Sequence, residues 1–148
     1  GVMTVDVASL SFAEIEDRID AIVVEPARAP EESAAELLAI GETVLEAWVC
    51  ARGQVPTRER KEGFRLLALH RQGARGEPSF NACRETCREL AYHYNLITDE
   101  PDHPDTGHRI TLAGMVARHL VLFIGGKIAV SGLGEFCCSA KPLRATGH

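Results

Sequence analysis

Aliphatic side chains return every three or four positions along most of this chain, and that period decides what it can fold into. An α-helix turns once in 3.6 residues and gathers such positions on one face, whereas a half-buried strand needs strict alternation. Ile15, Ile19 and Ile22 keep the helical period, as do Leu37, Ile40, Val44, Leu45, Trp48 and Val49. Apolar residues make up 45% of the chain and aromatic ones only 5%, so the core they form is aliphatic. A chain of 148 residues is the size of one domain; folding hides roughly 70% of the unfolded surface at that length. The reading is one all-α domain over residues 1–148, a compact bundle of four or five helices with an irregular C-terminal tail.

Local signals place the helices. Thr4-Val5-Asp6-Val7 alternates and reads as extended, and Ser11 with Glu14 forms a capping box that starts the first helix. Glu25-Pro26-Ala27-Arg28-Ala29-Pro30 breaks it, and a second helix is predicted over residues 30–52, ended by Gly53. Thr57 is the predicted cap of a third helix reaching Gln72, and Ser79 of a fourth over 80–96 with Phe80, Cys83, Cys87, Leu90 and Tyr94 on one face. The stretch from Thr98 to His108 reads as a loop rich in acids and prolines. Thr111 is the predicted cap of the fifth helix, with Leu112, Met115, Val116, His119, Leu120 and Phe123 inward, and Gly125-Gly126 weakening its end. Past Ser131 a tail is expected, docked at Leu133 and Phe136.

Charge and cysteine content bound the setting. Five cysteines do not make the even framework of a small secreted domain, and the N-terminal residues lack the pattern of a secretory leader, so the thiols read as free and the location as cytoplasmic. The apolar window Leu112 to Val130 carries Arg118, His119 and Lys127 and reads as a buried core helix, not a membrane span. Residues 1–50 hold eleven acids and two arginines, a net of −9, while 52–75 hold seven basic residues and two acids, a net of +5. The basic segment is expected to face the acidic helices; nucleic acid is an unlikely partner, because the whole chain carries −5 and no aromatic residues interleave with these charges.

Motifs for chemistry are few. The chain has no glycine-rich phosphate loop, no dinucleotide fingerprint, no His-Glu-x-x-His and no Gly-x-Ser-x-Gly, so nothing marks it as an enzyme. Cys83 and Cys87 lie four apart on one helical face, a spacing that can hold zinc or another transition metal if His70, His93 or His119 joins them. His119, on the inner face of the most apolar helix, is the most pointed of the three; His70 and His93 read as residues near helix C-terminal ends, where the dipole favours a positive charge. The adjacent Cys137 and Cys138 are suited to a soft metal or to oxidation more than to a disulfide with each other. Two functional expectations follow: a self-associating helical interaction or regulatory module, forming a homo-oligomer, and a metal- or small-ligand-binding helical protein. A third, nucleic-acid regulation through residues 52–75, stands behind them.

Overall fold

Ser11 starts the first helix as its sequence requires. Its hydroxyl accepts from the Glu14 N–H at 3.2 Å, and the Glu14 carboxylate accepts from the Ser11 N–H at 2.8 Å. The structure, a computed structural model, describes residues 7–25 and 27–132. Five α-helices run through them: α1 (Phe12–Val24), α2 (Pro30–Ala51), α3 (Arg65–Ala74), α4 (Arg84–Asp99) and α5 (Thr106–Val130). Short 3-10 turns cover Val7–Ser9 and Pro78–Cys83, and no strand occurs among the described residues. The chain is therefore an all-α bundle.

α2 and α5 form its centre: α2 packs on each of the other four helices, and α5 on α1, α2 and α4. The core is aliphatic, as composition demands, with Leu37, Ile40, Leu66, Leu90, Leu120 and Ile124 fully enclosed. Gly41 allows the central crossing. A Cβ built there would lie 2.8 Å from Leu90 Cδ2 and 2.9 Å from Leu66 Cδ1, so any side chain would force those leucine ends out of their places against α2.

Several boundaries differ from the sequence reading. α3 begins at Arg65, not after Thr57. Residues 54–64 are irregular and end in a tight turn in which Lys61 and Phe64 exchange both backbone hydrogen bonds, at 3.0 and 2.9 Å. Glu62 and Gly63 at its tip have φ of +54° and +85°, as a two-residue hairpin turn requires. Glutamate is an unusual choice there; its carboxylate takes a two-pronged grip from Arg88 on α4, at 3.1 and 3.0 Å, which holds the turn against the bundle. Thr57 caps a turn instead, accepting from the Glu59 N–H at 3.0 Å.

α4 starts at Arg84, because Pro78–Cys83 winds as a 3-10 turn. α5 starts five residues before Thr111 and continues through Gly125-Gly126. The connection between α4 and α5 is thus 100–105 only, closed on itself by the Thr106 hydroxyl donating to the Glu100 carbonyl at 3.2 Å. Val7, read as extended, lies in a 3-10 turn; the expected docking at Leu133 and Phe136 falls outside the described residues.

α5 is long and apolar enough to cross a membrane by length and composition. In this fold it is the central packing helix, and its arginines and lysine are engaged within the chain: Arg109 with Glu100, Arg118 with Glu16 and Asp20 of α1, Lys127 with Glu77. The charge split is met similarly. Arg65 pairs with Glu42 and Glu46 of α2, while Arg71 pairs inside the basic segment, with Glu59.

Candidate functional site: a buried dithiol beside His70

Polar atoms with chemical capability come together at one end of the bundle. α3 carries His70 inward, 5% exposed. The following 3-10 turn brings Phe80 and Cys83 beneath it, and the first turn of α4 adds Cys87, with the two cysteines 1% and 0% exposed. Cys83 is the residue immediately before α4, so one helical turn separates the sulfurs. Cys83 and Cys87 are both free thiols.

The Phe80 carbonyl organises the group. It accepts from His70 Nε2 at 3.1 Å and from the Cys83 thiol at 3.3 Å. A carbonyl oxygen only accepts, so Nε2 carries the hydrogen of that contact. An aromatic stack roofs the site. His70 lies on Phe80 with centroids 5.3 Å apart, and Phe80 on Trp48 at 5.0 Å and 7°. Trp48 Nε1–H donates to the Gly73 carbonyl at 2.9 Å, while Arg52 and Lys127 lie over its ring at 5.4 and 5.7 Å. Lys127 also donates to Ser79 at 2.6 Å and Glu77 at 3.2 Å, tying the Pro78–Cys83 turn to α5.

The two thiols titrate as a pair. Donation from the Cys87 thiol holds Cys83 well below the usual thiol range, to about 6; His70 acts in the same direction and burial opposes. The Cys83 sulfur beside it, with burial, pushes Cys87 well above that range. One proton therefore leaves the pair readily and the second is held.

The other residues singled out by sequence do not join this cluster. His119 is exposed on α5, so its placement on the inner face is corrected. The buried line of α5 is Ala113, Gly114, Ala117, Leu120, Val121, Ile124 and Ile128, and Met115 is also outward, 63% exposed. His93 lies on α4 six residues past Cys87, about 9 Å further along the axis. Its ring packs edge-on to Tyr92, and its Nδ1 is buried without a hydrogen-bond partner. Burial pushes His93 below its ordinary value and Arg109 adds to this, against an opposing Glu89.

Among the described residues no three of His, Cys, Asp and Glu converge so as to hold a metal ion. The Cys87 thiol and the His70 imidazole both act on Cys83 without forming a three-ligand set. Cys50 is disulfide-bonded, so the reading of all five cysteines as free holds for Cys83 and Cys87 and not for Cys50. Cys137 and Cys138 lie outside the described residues.

Sequence had put His70 forward, with His93 and His119, as a candidate to join the pair. It could not single out His70 from the other two, because residues 70 and 83 are joined by a 3-10 turn with no sequence signature, and it missed the Phe80 carbonyl entirely. A surface hollow of about 440 Å³ beside Glu62, Phe64, Arg88 and Tyr92 holds no thiol or imidazole, and its Glu62 and Arg88 are already paired. Comparison of the chain with protein-family models, with curated proteins and with solved structures finds no match.

Proposed function

We propose that this chain binds a soft transition-metal ion at the buried thiols Cys83 and Cys87. The observation that carries the reading is the pair itself: two free thiols one helical turn apart, both enclosed, with an imidazole fixed against one of them by the Phe80 carbonyl. Thiolates are soft ligands that select soft metals, and a nearby hydrogen-bonded histidine orients and tunes such a site. A buried cysteine also serves as a small apolar residue, but that role does not account for the polar neighbours gathered here, the Phe80 carbonyl and the His70 ring it holds.

Elemental analysis tests this. The chain, purified under reducing conditions without a metal-affinity step, should carry a soft transition metal that is lost on Cys83→Ala or Cys87→Ala. Retention of less than about 0.1 equivalent by the unsubstituted chain after incubation with excess metal would reject the reading.

A second reading is self-association through α5. Met115 and Leu122 are 63% and 54% exposed, and they share an outward line with Thr111, His119 and Gly126 that carries no charged group. A second copy of this chain, presenting the same uncharged line about a two-fold axis, would cover it. Light scattering should then give twice the chain mass, falling to the single mass with Leu122→Lys. A single mass for the unsubstituted chain at high concentration removes this reading and leaves the first untouched.

A further inference from the structure

Taking the metal reading as its premise, we infer that the site selects a monovalent d10 cation, Cu(I), held by the two sulfurs of Cys83 and Cys87 in near-linear coordination, and selects against both zinc and a disulfide.

The spacing excludes the disulfide first. Residues four apart on a helix have Cβ atoms about 5–6 Å apart, whereas a disulfide needs about 3.5–4.5 Å. Cys83 ends the Pro78–Cys83 turn and Cys87 lies in the first turn of α4, so closing an S–S bond would have to shift that junction. A metal between the sulfurs removes that conflict. Two metal–thiolate bonds of about 2.3 Å each set the sulfurs up to about 4.6 Å apart, which suits one helical turn.

Coordination number excludes zinc next. Zinc takes four ligands, and a site with two thiolates leaves two positions to fill. Nothing among the described residues converges to fill them, and thiols 1% and 0% exposed leave little room for water. A d10 monovalent ion is satisfied by two thiolates.

Charge points the same way. Two thiolates and one monovalent ion carry a net −1, and this complex would form at the start of α4, where Cys83 is the residue before the helix and no side chain caps it. The helix dipole at that end favours a negative charge. In binding, each thiol releases its proton to solvent as its sulfur bonds to copper; copper arrives and stays as Cu(I), so no electron is transferred.

The test is anaerobic titration of the full chain with Cu(I) against the colorimetric chelator bicinchoninate. It is run in the unsubstituted chain and in a Cys50→Ser, Cys137→Ser, Cys138→Ser background, with a parallel zinc titration. The expected result is one tightly held Cu(I) that survives the background substitutions and His70→Phe, and is lost with Cys83→Ala or Cys87→Ala. Zinc should be removed by a weak chelator.

The apolar alanine replacements keep the core dry, and circular dichroism confirms that each variant is helical. If one misfolds, X-ray absorption of the unsubstituted copper-loaded chain reads the same point: two sulfur neighbours and no more. Zinc held more tightly than Cu(I), or loss of copper with His70→Phe, overturns two-coordinate Cu(I) selection and leaves the metal reading standing. Failure to hold either metal overturns both. A Cys83–Cys87 disulfide forming readily in air, seen as the loss of two hydrogens by mass, also overturns the inference.

Discussion

α4 and α5 pack against each other, yet their sequences announce their buried faces very differently. α4 is mostly polar, and its few apolar residues fall on one line: Cys87, Leu90, Ala91 and Ile97 are enclosed, while Glu85, Glu89 and Tyr92 look outward. α5 is apolar nearly all round, and what it buries is its small residues, Ala113, Gly114 and Ala117, with Leu120, Val121, Ile124 and Ile128, while Met115 and Leu122 stay outside. Contrast between faces, not hydrophobicity, fixes a helix's rotation. On the apolar helix the close-approach residues mark the inner side better than the large ones do. The two helices also divide the labour: the thiols belong to the entry of α4, and α5 contributes Lys127 and packing but no ligand.

The difference can be broken by substitution. The largest effect is expected from Leu90→Ala on α4 and Leu120→Ala on α5, both enclosed, each losing about 2–5 kcal/mol in denaturant unfolding. Equal and small losses would mean that α5 does not bury that line. Gly114→Ala comes next. Its Cβ would lie 2.4 Å from Val23 Cγ2 on α1, and overpacking of this kind costs about 1–3 kcal/mol. A neutral result would show that α1 and α5 are not in close contact.

His93 gives a pH signature on the α4 side, where Arg109 of α5 helps burial to hold its folded pKa down. A base whose folded pKa is depressed stabilises above its unfolded value, about 6.5, and loses that contribution as the pH falls through the folded value. Unfolding free energy should therefore decline as the pH falls from neutral toward 5, and His93→Gln should flatten that slope. Because the group is partly exposed, the effect is modest; an unchanged slope in the variant would contradict it. The smallest effect is expected from Met115→Lys and Leu122→Lys, within about 0.5 kcal/mol for a single chain, since both side chains already meet solvent.

How much was legible follows the same contrast. The all-α class, the capping box at Ser11 and the extent of α2 could be read because local signals and period agree there. The face of α4 that carries Cys83, Cys87 and Leu90 was legible for the reason just given. The start of α3 was not: residues 54–64 owe their path to Gln72, which donates to the Val55 carbonyl and accepts from the Thr57 N–H, and to the Glu62–Arg88 pair, all long-range. His119 was misplaced because a helix without a polar face offers no phase, and its period fits several rotations equally. For the site, the sequence put Cys83, Cys87 and His70 forward together but not the path that joins them. Cys83 and Cys87 share a helix turn by spacing alone, whereas His70 reaches them only because the Pro78–Cys83 turn folds Phe80 back beneath α3.

The central claim is that the enclosed thiols at the head of α4 hold a soft metal between them, and X-ray absorption at the metal edge reads this directly on the loaded chain. A first shell of sulfur that disappears with Cys87→Ala is the result this account predicts. A shell of oxygen and nitrogen alone, or a sulfur shell unchanged in that variant, would contradict it.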